Sequence, residues 1–201
     1  MRVEPEIHER ALAHDLAQAA SVPEPIAAAA VEPSAPVAPP AVATGSPEMN
    51  LPAIADLCTR LAQVVDAAQV RPLLEDAARI LDAAGMIVWG WDDRSAALAP
   101  LLAHGYSDAV VASLPIVHTD EENAIASGYR AAALRVVNGT EGTTGAVVTP
   151  LLTPAGCSGV LAVELRNGGE HRDCVRAVAA IFAAQLATLF APPPLAEVVN
   201  A

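Results

Sequence analysis

Thr144 to Arg166 reads TGAVVTPLLTPAGCSGVLAVELR. Val147, Thr149 and Leu151 alternate with Val148, Pro150 and Leu152, and Val160 to Leu165 is a second run rich in apolar and β-branched residues. Such runs are the pattern of strands buried on at least one face. Pro154, Gly156 and Gly159 interrupt them, which predicts a hairpin. An amphipathic helix is expected next, from about Asp173 to Phe190, with Val175, Val178, Ala179, Phe182, Leu186 and Leu189 on its apolar stripe.

Upstream of the hairpin, Asn50 can cap a helix whose first turn holds Pro52. Ile54, Leu57, Cys58, Leu61, Val64 and Val65 recur at helical spacing. A second helix begins around Pro72, with Gly85 expected to end it. Met86 to Trp91 predicts a first strand, Asp92 to Ser95 a turn, and Ala97 to Ala103 a second strand weakened by its alanines and Pro100. Ser107 caps a short helix over Asp108–Leu114. A polar crossing from Pro115 to Glu122 leads to a helix over Asn123–Ala132 and a strand over Leu134–Val137. The expected order is α-α-β-β-α-α-β-β-β-α.

Residues 1–49 have a different character. Glu6 to Ala20 has the spacing of a short helix, and Ser21 to Pro47 is a Pro/Ala-rich tether. The expected organisation is an N-terminal extension over 1–49, one domain over 50–191 and a loose tail over 192–201.

Composition narrows the function classes. Hydrophobic residues make up 53% of the 201 residues and aromatics 3%, so the core is built from Leu, Val, Ile and Ala. The formal charge is −12 and lysine is absent, which disfavours nucleic acid and anionic membrane surfaces. Cys58, Cys157 and Cys174 are odd in number and widely spaced, unlike a disulfide framework or a structural zinc site. With no secretory leader pattern and no apolar run of membrane-spanning length, a cytoplasmic protein is expected. No P-loop, GxGxxG, GxSxG or HExxH motif is present.

Three segments carry a family resemblance: LLAHGYSDAVVASLP (Leu101–Pro115), ENAIASGYRAAALRVVNG (Glu122–Gly139) and the hairpin GAVVTPLLTPAGCSGVLAVEL (Gly145–Leu165). In this order they resemble a GAF domain, a relative of the PAS sensory modules, over about residues 50–191. The resemblance implies an α+β fold with a central antiparallel β-sheet. The N- and C-terminal helices would lie on one face, and short helices and loops on the other, often over a small-molecule pocket. It also implies dimerisation through the terminal helices. The cyclic-nucleotide phosphodiesterase motif of the family (Asn-Lys-X-Phe-Asp-Glu) is missing, so that ligand class is doubtful.

The candidate ligand contacts are Trp89, Trp91, His104, Tyr106, His118, Tyr129, Asn138 and Thr149. Trp89 and Trp91 lie two apart, so they share one face of their strand and either stack on a flat ligand or pack the core. His104 and His118 are titratable side chains near loops, with no second metal ligand fixed beside either, so no metal is assigned. His118 with Asp120, Glu121 and Glu122 is read as a solvated charge run. Tyr106, Tyr129, Asn138 and Thr149 are pocket candidates by position. Cys157, in the hairpin turn, and Cys174, at the start of the last helix, are the possible redox thiols. Cys58 is expected to be packed. Val175, Val178, Phe182, Leu186 and Leu189 are the candidates for a dimer or partner contact, after part of their stripe has covered the sheet.

The expected function is a noncatalytic sensory or regulatory GAF-like domain that binds a small molecule or a partner and signals in trans, as a homodimer or through a signalling protein. The alternatives are a ligand-free structural adaptor and a small thiol enzyme of the free methionine sulfoxide reductase type. Neither a cofactor nor a ligand identity follows from the sequence.

Overall fold

Asn50 starts the first helix by accepting the Ala53 N–H on its side-chain oxygen at 3.1 Å, and Pro52 sits in the first turn, where no N–H is needed. The computed structural model describes residues 49–140 and 143–190, so the N-terminal extension, its Glu6–Ala20 helix and the C-terminal tail lie outside the described residues. Helix α1 (Leu51–Leu61) buries Ile54, Leu57 and Leu61. After a 3₁₀ turn at Ala67–Gln69, helix α2 (Val70–Leu81) buries Val70, Leu73, Leu74, Ala77, Ala78 and Leu81.

Helix α2 ends at Asp82 rather than at Gly85. Asp82 takes the left-handed conformation (φ 54°, ψ 42°), which a short polar side chain tolerates better than most. The end is tied down from the far side of the chain. Arg166 N–H donates to the Asp82 carbonyl at 3.3 Å, the Arg166 guanidinium donates to the Ala83 carbonyl at 2.5 Å, and Asn167 Nδ2 donates to the Asp82 carboxylate at 3.2 Å. Gly85 is thereby freed for use inside a strand.

The sheet follows. Strand β1 (Ala83–Asp92) pairs with β2 (Ala97–His104), and the register shifts between Val88 and Trp89, opposite Pro100. The irregular ladder at this point accommodates a residue with no N–H to give. Ser107 accepts the Val110 N–H and caps helix α3 (Asp108–Ala112). Strand β3 (Val117–His118) pairs with Ala97 and Leu98 inside the segment expected to be a plain crossing. Two residues are too few to show a period, so the sequence does not announce it.

Asn123 caps helix α4 (Ala124–Ala131), accepting the Ala126 N–H at 2.8 Å. Strands β4 (Arg135–Val137), β5 (Gly145–Thr153) and β6 (Gly156–Leu165) complete a six-stranded sheet in the order β3-β2-β1-β6-β5-β4, antiparallel throughout. The β5–β6 hairpin turns at Pro154-Ala155, where the Thr153 hydroxyl donates to the Gly156 carbonyl at 2.9 Å. Helix α5 (Asp173–Leu189) closes the described part of the chain.

The strand alternation creates two cores. Met86, Val88, Val147, Leu151, Leu161, Val163 and Leu165 face α1, α2 and α5. Ile87, Trp89, Leu98, Val148, Val160 and Ala162 face α4 and the β2–α4 connection. This α+β arrangement has the terminal helices on one side and the short elements on the other, as expected from the sequence. Helix α5 is the main cover of the first core. Val175, Val178, Ala179, Phe182, Ala183, Leu186 and Ala187 are buried, and each large apolar side chain among them contributes about 1.5–3 kcal/mol.

Candidate functional site

The second face of the sheet collects most of the chemically distinctive side chains. From Gly85 on, odd-numbered residues of β1 point to it, so Trp89 and Trp91 share this face as their spacing requires. Trp89 is 1% exposed, and its indole N–H has no hydrogen-bond partner among the described residues. Leu98, Val117, Ile125, Val148 and Val160 beside it are fully buried, so no water-sized cavity adjoins them. Around Trp89 the face is filled by its own side chains.

Trp91 lies at the edge of the same core. Its ring stacks on Tyr129 from α4 with centroids 5.5 Å apart and planes 8° from parallel, and its N–H donates to Asp93 at 2.7 Å. Burial raises the Tyr129 hydroxyl pKa, and the charges of Cys157 and Asp93 add to the rise. Burial also pushes the Cys157 thiol up, against opposing backbone hydrogen bonds at Gly159 and Leu151. A raised thiol carries little thiolate and is a poor nucleophile. Cys157 lies at the start of β6, and Cys174 begins the helix that follows its far end. Eight residues of strand, roughly 26 Å, separate the two ends, so the structure does not bring these thiols together as a reacting pair. Cys58 is half-buried against the first core, as expected.

At the other end of the second face lies a residue that the sequence reading passed over. Glu164 stands in β6 between Gly85 of β1 and Ala146 of β5, on the side of Val160 and Ala162, and is 3% exposed. Tyr106, from the β2–α3 loop, packs against this core and lies over Gly85. Its hydroxyl approaches the Glu164 carboxyl closely enough to act on its titration. Burial raises the carboxyl pKa and the Tyr106 hydroxyl opposes that rise. Glu164 Oε1 is buried with no hydrogen-bond partner among the described residues. The available signal was a lone acid in an otherwise apolar run, GVLAVEL.

The remaining candidates fall elsewhere. Thr149 pairs with Leu161 in register and therefore faces the helical layer, where its hydroxyl is buried without a partner. His104 lies on that side too, lining a groove with Glu75, Asp82 and Arg166. His118 is exposed on β3, and Asn138 is exposed just past β4. The segment before α4 is a structural network. Glu121 accepts the His118 N–H and the Asn123 side-chain amide, each at 2.8 Å, while Arg130 donates to the Thr119 and Glu121 carbonyls. No group of three or more His, Cys, Asp or Glu side chains among the described residues is placed to hold a metal ion. A second buried acid, Glu170, accepts the Gly139 N–H at 3.1 Å and fills the space left by Gly145.

A groove of about 550 Å³ opens between α1, α2 and the start of α5. Its central charges are already neutralised: Arg60 and Arg79 donate to opposite oxygens of Asp76 at 2.7 and 2.6 Å. The hydrogen bonds from Arg60 and then Arg79 hold the Asp76 carboxyl below its usual range.

The stripe proposed for intermolecular contact is consumed inside the molecule. Val175, Val178, Phe182 and Leu186 are buried against the sheet, and Leu189 packs at the margin of the same core. The outward face of α5 is Ala177, Ala180, Ile181, Ala184 and Thr188, with Ile181 44% exposed. From Ala177 to Leu189 the helix carries no charged residue.

Solved structures with this architecture are numerous. The GAF domain of an Acinetobacter phosphoenolpyruvate-protein phosphotransferase superposes with a TM-score of 0.62 at 12% identity, over 73% of this chain and 95% of that one. The GAF domain of A. aeolicus nlh2 in an inactive state gives 0.59 at 9% identity, over 70% and 94%. Free methionine-R-sulfoxide reductase from Neisseria meningitidis, in complex with its substrate, gives 0.58 at 13% identity, over 69% and 86%. At these identities the likeness is one of fold. No curated protein matches the sequence. No helix among the described residues is long and apolar enough to cross a membrane. The sequence profile of the GAF domain matches residues 70–189, more than half of the chain. With the sheet order, the helical cover and this match in agreement, the chain belongs to the GAF domain family.

Proposed function

We propose that this chain is a noncatalytic regulatory GAF module that works in trans through the outward face of α5, paired with a second copy of itself. GAF domains are generally sensory or regulatory modules. The observation that carries the proposal is the missing charge on α5 from Ala177 onward: a helix with one face in the core is expected to be polar on the other. Here the outer face is alanine, isoleucine and threonine, which lets a second helix approach closely and removes the cost of desolvating charge. Regulation then consists of shifting how the terminal helices pack on the sheet, and a signal acts only through its difference in affinity between the two packings. The separation of Cys157 from Cys174 and the raised pKa of the Cys157 thiol favour this reading over a thiol enzyme.

Sedimentation equilibrium of the full chain over a concentration series tests the pairing. The wild type is expected to self-associate and Ile181→Arg to remain monomeric with unchanged far-UV circular dichroism. A wild type that stays monomeric throughout, or an Ile181→Arg chain that associates equally well, removes α5 as the interface. Turnover of free methionine sulfoxide in the presence of a thiol reductant would remove the noncatalytic reading.

A further inference from the structure

We propose that Glu164 anchors a binding site for a small flat cation with adjacent N–H donors, of the amidinium type, and that the Tyr106 ring occupies this site in the described structure. Strand β6 is an inner strand, and a buried carboxyl near its C-terminal end adds nothing to apolar packing. Burying a polar atom without a partner costs about 1–3 kcal/mol, and Glu164 Oε1 is such an atom. Its strand neighbours, Gly85 and Ala146, carry the least bulk available, so the sheet has a notch beside the acid. The notch already holds a flat ring. A Cβ built on Gly85 would fall 2.5 Å from the Tyr106 hydroxyl oxygen and 2.7 Å from Cε2.

Tyr106 comes from a loop rather than from the sheet, and it is only half-buried, so its ring is the barrier between solvent and the acid. Swinging it outward vacates a phenol-sized space floored by Gly85 and walled by Glu164. The influences resolved on Glu164 are its burial and the Tyr106 hydroxyl, and among the described residues no basic side chain contributes. Arg135, on the same face, is engaged with the Ser127 hydroxyl at 3.0 Å. The position that would neutralise the carboxylate is therefore left to a ligand. An amidinium matches both carboxylate oxygens with parallel N–H bonds, and its attached ring takes the place of the phenol. On binding, the ion pair takes the place of the Tyr106 hydroxyl beside the carboxyl, and any proton that Glu164 holds passes to solvent. The site lies on the opposite face of the sheet from α5 and is assayed by occupancy, so it stands or falls separately from the self-association proposed above.

Benzamidine is the probe, titrated into the full chain by isothermal calorimetry in buffers of differing ionisation enthalpy. Saturable binding is expected, with proton release that disappears as Glu164 is ionised beforehand at higher pH. Tyr106→Ala is expected to bind roughly tenfold tighter or better, because the self-occupied state no longer competes. Glu164→Gln is expected to lose the binding, while benzoate is refused by every form. Benzamidine binding to Glu164→Gln as well as to the wild type overturns the proposal by making it ring burial alone. Absence of saturable binding to both wild type and Tyr106→Ala overturns it outright. If Tyr106→Ala does not fold, Tyr106→Phe takes its place, since it removes only the hydroxyl; no binding to the wild type and to Tyr106→Phe is then the overturning result.

Discussion

The ring of Tyr106 lies where a side chain on Gly85 would have to go, with its hydroxyl oxygen 2.5 Å from the built Cβ. This relationship explains a glycine near the start of an inner strand, where its backbone entropy is otherwise unfavourable. Gly85→Ala is expected to displace the tyrosine and to destabilise the fold by about 1–3 kcal/mol, the usual cost of overpacking. In a Tyr106→Ala background the same substitution is expected to be close to neutral. Urea denaturation of the four chains in the cycle measures the coupling, and equal losses in both backgrounds would refute the steric account.

Glu164 makes stability depend on pH in an unusual direction for an acid. Its folded pKa is raised above the ordinary value of 4.5, so the native state holds the proton more tightly than the unfolded chain does. Its contribution is most favourable below that ordinary value. It declines as pH rises toward the raised folded value, then levels off. Chemical denaturation of Glu164→Gln across this range is expected to lack this decline; parallel curves for the two chains would show that Glu164 does not titrate as described.

Asp76 behaves in the opposite sense. The two arginines lower its folded pKa, so its stabilising contribution is present above the ordinary carboxylate value and is lost as pH falls through the lowered one. Asp76→Asn is expected to flatten the acid limb of the stability curve. An acid limb identical to the wild type's would mean that the tie between Arg60 of α1 and Asp76 of α2 has no measurable effect.

Neighbouring residues of α5 are expected to separate folding from assembly. Phe182 is 1% exposed in the first core, and Phe182→Ala is expected to lose about 3–5 kcal/mol. Ile181 faces outward, and Ile181→Arg is expected to change the stability of a dilute, monomeric sample by no more than about 0.5 kcal/mol. Thermal and urea unfolding of the two variants at low concentration check this, and a large loss in Ile181→Arg would place that side chain inside the fold.

Much of this fold was legible because its signals are local and repeated. Asn50, Ser107 and Asn123 each cap the helix they were expected to start or precede, and the alternation in β5 and β6 fixed the hairpin. Gly85 was misassigned because a glycine after a helical run is ordinarily a helix end, whereas here Asp82 takes that part with help from Arg166 and Asn167, more than eighty residues away. Strand β3 escaped because its pairing with Ala97 and Leu98 is a tertiary fact carried by two residues. The site was less legible still. Thr149 and Tyr106 are both candidate pocket residues by position, but only the register puts Thr149 against α5's layer, and only the path of the β2–α3 loop puts Tyr106 beside Glu164. A single acid in an apolar strand was visible, and it had no meaning until its neighbours proved to be glycine and alanine.

The two cores share one wall, a sheet a single strand thick. Glu164 faces one compartment, while Val163 and Leu165, its immediate neighbours in the chain, face the compartment that α5 covers. A displacement of β6 by a fraction of an ångström on the acid's side is therefore delivered, through consecutive peptide units, to the surface on which the final helix rests. Under the function proposed above, coupling between the two compartments needs no relay of intervening side chains.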